Sequence, residues 1–531
     1  MDKELGRVND RMKKSYISLL FLFVFFYLPI ISILETGLSP HNFSYILTDY
    51  YYQKIIYFTF KQAFLSTTVT LLVGLPGAYI ISNYDFFGRK FLKSITMIPF
   101  VLPSILVVLS FVVLFGNNGV INSFLSHVNL RISFLYTWKA IILAHAFYNF
   151  PLVIRIVGAS WERLSVHIEE TARTLGAKRF FLFRKVTFPL LLPSILTSAI
   201  LTFIFCFTSF AIVLAFGGVR YTTMEVEIYY LLQRSGNFNL GCSLAILQIM
   251  FLISLMFLYN KFSRLYLKEE KITKFKQKKK LRFSLDNIPI YLYFLLVFFM
   301  MILPMIAVGY YSLTKFTGYE TVLSSYWYKM IFGRVYSPII GSVALVSVKN
   351  SLFFGFCTVL LSLSMGIPAA YLRKVEIFLL VPLIVSGVTL GLGILKLFPF
   401  GGWWRIVLAH SLIAYPFVVR CVYIPLKKLD PSLLESALSL GASRIYAFFK
   451  IELPMIFSGI IVASSFAFAI SVGELAATYL LYDGKYITMP IFIYRFISAR
   501  RFGGAAAMGV LLMAITGIVF IIIDRMKEVE I

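Results

Sequence analysis

Three ionisable side chains lie inside apolar stretches of this sequence: His145, His410 and Glu474. The two histidines occupy equivalent positions, each six residues before a proline, and an intramembrane imidazole can hold or pass a proton. Glu474, in SVGELAATY, falls within or at the edge of a predicted span, where a carboxylate is costly unless it is paired or faces water. All three are candidates for a pathway or gate. Helix packing or an internal partner is the alternative for each.

The remaining residues indicate no catalytic chemistry. The sequence has five histidines, none in an HExxH pattern, and no GxxxxGK[ST] phosphate loop, so the chain itself is not expected to bind ATP. Its four cysteines form no CxxC pair and fall mostly in apolar segments, as small buried side chains do. We therefore predict no catalytic residue, no bound cofactor and no metal site.

The composition predicts the elements that carry these residues. Hydrophobic residues make up 59% of the chain and charged residues only 14%, which nearly excludes a soluble globular protein. Apolar runs of about 20 residues, long enough to cross a bilayer, recur throughout. We predict an all-α polytopic membrane protein with about 12 transmembrane helices, six in each half. The predicted spans are 16–34, 60–82, 95–115, 138–157, 190–214, 241–260, 288–312, 350–372, 376–397, 403–422, 455–480 and 505–524.

The distribution of charge predicts the orientation. A net charge of +26 could suggest nucleic acid, but the basic residues cluster in alternate loops, as the positive-inside rule requires. The densest cluster is the linker with the KQKKKLR run, which is expected to be a solvated cytoplasmic face. We expect a membrane protein with both termini in the cytoplasm. Glu225 and Glu227 follow the fifth span and are expected to be solvated on the outer side.

Two stretches of the chain repeat each other, residues 165–193 and 430–458, and we call them the first and second docking segments. In each stretch a glutamate lies six residues before a glycine, and a proline lies thirteen residues after that glycine. The residues are Glu170, Gly176 and Pro189 in the first stretch and Glu435, Gly441 and Pro454 in the second. Each predicts a short amphipathic helix, a left-handed glycine cap and a second helix entering the membrane. A capped, polar helix pair between apolar segments favours a docking surface. An interfacial loop without a partner is the alternative.

The repeat extends beyond the docking segments. The stretch from Ala144 to Arg155 corresponds to that from Ala409 to Arg420 at the same offset of 265, and GLPGAY corresponds to GIPAAY at 292. We predict a first repeat over 1–260, a basic linker over 261–287 and a second repeat over 288–531. Two parallel six-span repeats make a pseudo-twofold body with a pathway between them.

The docking segments resemble the EAA loop of permease subunits from ATP-binding-cassette importers. That pattern is Glu-Ala-Ala followed by glycine and a Leu-Pro pair. Here the middle alanine is Thr171 or Ser436, and the first leucine of one pair is Phe188. The resemblance implies that an ATPase binds ten residues: Glu170, Thr171, Ala172, Gly176, Ala177, Glu435, Ser436, Ala437, Gly441 and Ala442.

The length and the two repeats look like the fused permeases of the ferric-iron and thiamine uptake group. The thiamine and thiamine pyrophosphate permeases show the stronger likeness, which is carried by four stretches: Phe60–Ser66, Ile142–Arg155, Cys206–Gly218 and Thr222–Tyr229. The resemblance implies a place in the bacterial inner membrane, two copies of a cytoplasmic ATPase that holds ATP and Mg, and an extracytoplasmic substrate-binding protein. Ferric iron, or another small solute, remains the alternative cargo.

Other classes of membrane protein fit less well. A secondary transporter or channel needs ion sites in both halves, yet the position equivalent to Glu474 is Ser209. A membrane enzyme needs an acid–base pair or a metal cluster, and none converges. A scaffold does not explain two matched docking segments.

Overall fold

A computed structural model describes residues 17–86, 88–89, 102–164, 171–172, 174–218, 220–268, 278–281, 284–317, 321–372 and 381–528. Before the linker these residues form the following helices: α1 (Ile17–Gly37), α2 (Pro40–Thr48), α3 (Tyr50–Asn83), α4 (Ser104–Phe115), α5 (Val120–Leu125), α6 (Trp138–Glu162), α7 (Arg179–Leu182), α8 (Phe188–Phe207), α9 (Ala211–Phe216), α10 (Met224–Gln233) and α11 (Phe238–Lys268).

After the linker the helices are α12 (Ile288–Ser312), α13 (Tyr326–Phe332), α14 (Ala344–Ala370), α15 (Gly387–Leu397), α16 (Trp403–Lys428), α17 (Pro431–Ser439), α18 (Arg444–Ala447), α19 (Leu453–Gly473), α20 (Ala476–Leu481), α21 (Met489–Ser498) and α22 (Phe502–Glu528). The strands are two or three residues long: β1 (Tyr84–Asp85), β2 (Lys279–Lys280), β3 (Thr314–Phe316), β4 (Thr321–Leu323), β5 (Tyr336–Ser337) and β6 (Ser342–Val343). β1 pairs with β2 in parallel, β5 pairs with β6 antiparallel, and β3 adjoins β4.

The all-α polytopic architecture predicted from the sequence is confirmed. Within the described residues, 11 helices are long and apolar enough to cross a membrane. Eleven of the 12 predicted spans overlap one of these helices. The ninth, predicted over 376–397, corresponds to the 11-residue helix α15, and residues 373–380 before it lie outside the described part.

Contacts divide the chain into two units. One unit comprises Ser44–Glu227 and Leu247–Thr314. Its centre is the long helix α3 packed along α6, with α8 against both and α12 against α4. The apolar face of α12 closes over buried Ile81, Phe150 and Ile154.

The other unit comprises Met1–Phe43, Ile228–Ile246 and Lys315–Ile531. Here α16 is central, packed between α14 and α19, while α22 lies against α19 and α21. A buried apolar cluster surrounds α16 and contains the fully buried Tyr415.

The first span of each repeat packs on elements from the other repeat. Helix α1 lies against α15, and the Ser18 hydroxyl donates to the carbonyl of Met365, 2.8 Å away. In the other unit, the Tyr293 hydroxyl of α12 donates to the carbonyl of Val73 at 2.8 Å. Nothing local in the sequence signals this exchange, because the partner of each span lies more than 200 positions away along the chain.

The internal repeat is visible in matched contacts. A Cβ on Gly74 would meet Val153 at 2.6 Å, and one on Gly366 would meet Val418 at 2.5 Å, so each glycine allows two helices to approach closely. The Thr59 hydroxyl accepts from the amide of Met224 at 3.0 Å. The Ser351 hydroxyl accepts from the amide of Met489 at 2.9 Å, which is the same contact in the second repeat.

The carboxyl end of the basic linker is attached to the body of its unit. Strand β2 pairs with β1, and the Lys278 ammonium lies 3.2 Å from Glu162. Arg89 lies 2.6 Å from the same carboxylate. Because these charges are partly buried, they are screened less than a surface pair would be.

Candidate functional site

The second docking segment has the helix–cap–helix structure predicted from its sequence. The Asp430 carboxylate accepts from the amide of Ser432 at 2.9 Å and caps helix α17. The backbone and side chain of Ser432 hold the pKa of Asp430 below its usual value. The helix ends at Gly441, whose φ of +88° is left-handed, and the amide of Ala442 donates to the carbonyl of Ala437 at 3.0 Å. This is the six-to-one bond of a Schellman cap.

The first docking segment has the same glycine cap. Gly176 has φ +84°, and the amide of Ala177 donates to the carbonyl of Ala172 at 3.0 Å. A Cβ on Gly176 or Gly441 would meet nothing within 4 Å, so backbone conformation alone selects glycine at these positions. Thr171 is helical, whereas residues 165–170, and Glu170 with them, lie outside the described part of the chain.

Both docking segments expose large apolar side chains at matched positions. Leu175 is 83% exposed and its equivalent Leu440 is 88% exposed. Phe180 and its equivalent Ile445 are also largely exposed. In the second segment Glu435 and Ser436 are exposed beside this apolar surface, while Ala437 is half-buried. Exposed apolar groups with a polar border are typical of a protein-binding surface.

A π-helical turn follows α7 and α18 in the docking segments, over Phe183–Thr187 in the first repeat and Phe448–Glu452 in the second. The two turns correspond at the offset of 265 although their sequences differ, so the turn belongs to the fold of the segment. Such turns often occur at functional sites. The second ends at buried Glu452, whose carboxylate accepts from the Tyr371 hydroxyl at 2.7 Å. Sequence reasoning missed the Glu452–Tyr371 pair. In the first repeat the residue equivalent to Glu452 is Thr187.

His410 belongs to a buried polar network. Its Nδ1 lies 2.7 Å from the Ser471 hydroxyl and its Nε2 lies 2.7 Å from the Thr478 hydroxyl. Thr478 in turn donates to the backbone carbonyl of Glu474 at 2.9 Å. The network is consistent if Nε2 carries the proton of a neutral imidazole. Two of the three predicted gate residues are therefore linked through one hydroxyl.

Glu474 begins the turn into α20. Its Oε1 accepts from the amide of Ala477 at 3.3 Å, and a Cβ on Gly387 would approach the same oxygen to 2.7 Å. The carboxylate thus lies between α15 and α20, half-buried, where the helix terminus favours its negative charge.

His145 lies in the other unit and has fewer partners. Its Nδ1 is 3.2 Å from the Ser66 hydroxyl, and its Nε2 is buried without a hydrogen-bond partner in the described structure.

The sequence-based expectation for Glu225 and Glu227 is wrong, because both are buried. Gln248 donates to Glu225 at 2.6 Å and the Tyr51 hydroxyl donates to Glu227 at 2.9 Å. These partners lie too far along the chain for any local pattern to predict.

In the described part of the chain, no three His, Cys, Asp or Glu side chains come together as metal ligands would.

The family model for the inner membrane component of binding-protein-dependent transport systems matches residues 70–266 and, a second time, residues 337–528. The chain belongs to this family. It is a multi-pass membrane transport component with two permease repeats fused in one chain, as the sequence predicted.

Individual relatives differ in how much of the chain they match. The thiamine transport system permease protein of Haemophilus influenzae is 25% identical over 498 residues, which cover 91% of this chain and 90% of that protein. Its Salmonella typhimurium counterpart is 23% identical over 500 residues, with the same coverage. The sulfate transport system permease protein of Salmonella typhimurium is 32% identical over 203 residues, which cover 38% of this chain and 72% of that protein.

Proposed function

We propose that this chain forms the membrane pathway of an ATP-driven importer for thiamine or thiamine pyrophosphate. The observation that carries the proposal is the extent of the likeness: permeases described as thiamine transporters match 91% of the chain, across both repeats. The sulfate permease matches only 38% of the chain, although at higher identity. A likeness that includes both repeats bears on the whole pathway.

The two docking segments are the proposed binding sites for two copies of a cytoplasmic ATPase. Exposed Leu175 and Leu440 would enter the ATPase surface, with Glu435 at the polar border of the second segment. ATP and Mg would be held by that partner, and a separate extracytoplasmic protein would deliver the solute. Both termini would then lie in the cytoplasm. The ATPases act by binding one state of the helix bundle better than the other.

Uptake of radiolabelled solutes tests the cargo. Cells that express this chain with its ATPase and binding protein are compared with cells that lack only this chain, using labelled thiamine, ferric iron and sulfate. We expect thiamine uptake alone to depend on the chain. Iron or sulfate uptake in its place would keep the permease role and overturn the cargo.

Charge reversal tests the docking role. Glu170→Lys together with Glu435→Lys is expected to uncouple ATP hydrolysis from uptake while the chain still inserts into the membrane. Asp483→Lys, an exposed carboxylate beyond the opposite end of α19, is the matched control and should leave coupling unchanged. Normal uptake and normal assembly in the double variant would contradict the docking role.

A further inference from the structure

Three tyrosines in one unit form a group that we call the tyrosine cluster: Tyr229, Tyr479 and Tyr494. The rings of Tyr229 and Tyr479 stack with centroids 5.2 Å apart and planes 22° apart. Tyr494 meets Tyr479 edge to face, also at 5.2 Å. All three are half-buried, so part of each ring remains accessible.

The two outer tyrosines are equivalent in the internal repeat. Tyr229 of α10 corresponds to Tyr494 of α21 at the offset of 265, and both contact the single ring of Tyr479. In transport proteins built from repeats, the substrate site is formed by residues of both repeats. The tyrosine cluster therefore occupies the position expected of a pathway site.

The cluster lies at the end of the bundle opposite the second docking segment. The span Ile445–Gly473 begins just after Gly441, and Tyr479 follows its far end. At about 1.5 Å per residue, this 29-residue helix is long enough to cross the bilayer. Helices α10 and α21 have ten residues each and are too short to cross, so their tyrosines stay at this end of the bundle.

The chemistry of the cluster favours a planar cation. Tyrosine rings present a negative face that attracts a positive charge, and their flat surfaces stack on a planar ring. A guanidinium already binds at the edge of the group, where Arg234 lies 4.0 Å from the ring centroid of Tyr230. Arg234 itself is exposed, so water and salt screen its charge from a second cation.

We propose that the tyrosine cluster is the entry site of the pathway and that it selects solutes with a planar, positively charged ring. The solute stacks on the tyrosine faces as it leaves the delivering protein, and is thereby retained while the bundle changes state. This proposal rests on the proposed import of thiamine, which carries such a ring. Sulfate and ferric iron have no ring to stack.

Solute carried per ATP hydrolysed tests the proposal. The full complex in proteoliposomes is supplied with saturating binding protein loaded with radiolabelled thiamine, and uptake and ATP hydrolysis are measured together. Tyr479→Leu is expected to lower the ratio of thiamine to ATP by about fivefold, the loss of one good ring–cation contact. ATP hydrolysis should stay within about twofold, and Tyr479→Phe, which keeps the ring, should retain the ratio.

The matched control is Tyr482→Leu, because the Tyr482 ring lies three residues further on and already carries Arg495 at 4.9 Å. It should leave the ratio unchanged. If Tyr479→Leu does not assemble, Tyr494→Leu removes a contact to the same site. Uptake and hydrolysis that fall in parallel, or a ratio that does not change, would overturn the cluster's role. A wild-type complex that hydrolyses ATP but carries no thiamine would instead overturn the proposed cargo.

Discussion

His145 and His410 are equivalent in the two repeats, are equally buried, and have different surroundings. Both ring nitrogens of His410 have hydroxyl partners, Ser471 and Thr478. The residues at the corresponding positions near His145 are Cys206 and Val213, and its Nε2 has no partner among the described residues. The fold therefore sets the position of the histidine, and within the described residues only the second repeat provides hydroxyl partners for both ring nitrogens.

This difference suggests that the repeats share a framework and divide the chemistry. Glu474, connected to His410 through Thr478, also occurs only in the second repeat. The docking segments, by contrast, contain the same left-handed glycine and the same backbone bond in both repeats. The repeats are therefore alike at the docking segments and unlike around the buried histidine.

Removal of His410 should have the largest effect. His410→Leu leaves the hydroxyls of Ser471 and Thr478 without their shared partner, and unmet buried polar groups cost about 1–3 kcal/mol. We expect a clear fall in the thermal midpoint of the purified protein in detergent. His145→Leu is the matched variant and should change the midpoint little, since it also removes a buried nitrogen that lacks a partner. Equal losses for the two variants would contradict the comparison.

The effect of Thr478 should be intermediate. Thr478→Val deletes the acceptor of His410 Nε2 while keeping the shape of the side chain, which gives His410 the surroundings of His145. The expected cost is about 1 kcal/mol. Serine at position 478 restores the hydroxyl and should recover most of the thermal midpoint. Failure of Thr478→Ser to recover it would point to packing as the cause.

Gly176 and Gly441 test a feature that the two repeats share, the left-handed cap in each docking segment. Gly176→Ala and Gly441→Ala each place a Cβ in a left-handed conformation, at about 1–2 kcal/mol. Because neither Cβ would meet another atom within 4 Å, the two costs should be similar. Co-purification of the ATPase should fall by a similar factor in each variant. A loss confined to one variant would show that the two docking segments are used unequally.

The smallest change in stability is expected when His145 Nε2 is given the hydrogen-bond partner that it lacks among the described residues. Val213→Thr places a hydroxyl at the position that corresponds to Thr478 and offers Nε2 of His145 an acceptor. We expect a gain of about 0.5–1 kcal/mol in stability, and none when Val213→Thr is combined with His145→Leu. A gain that persists in the double variant would show that the hydroxyl acts elsewhere.

Local signals made the docking segments predictable. Asp430 and Pro431 mark the start of a helix, and Gly441 marks its end, so the sequence was sufficient to place the helix and both caps. The spans followed from hydrophobicity, and the two repeats from matched motifs at fixed offsets. The repeat boundaries at 260 and 288 and the coupling role of the ten docking residues stay predictions.

Long-range partners made the rest unpredictable. The burial of Glu227 depends on Tyr51, 176 positions away, and that of Glu452 on Tyr371, 81 positions away. The π-helical turns occur over two unlike sequences, so no residue pattern signals them. The tyrosine cluster needs three short helices that only the tertiary structure brings together.

The exchange of the first spans has a consequence for biosynthesis. Ser18 bonds to Met365, and 347 positions separate the two residues. At about 5–20 residues per second, the ribosome needs roughly 20–70 s after making α1 to produce the helices on which α1 packs. During that interval α1 has only lipid or an insertase as its neighbour. A chain cut in the linker gives a carboxyl-terminal fragment with an uncovered groove where α1 belongs, so the two fragments must be made together to be stable.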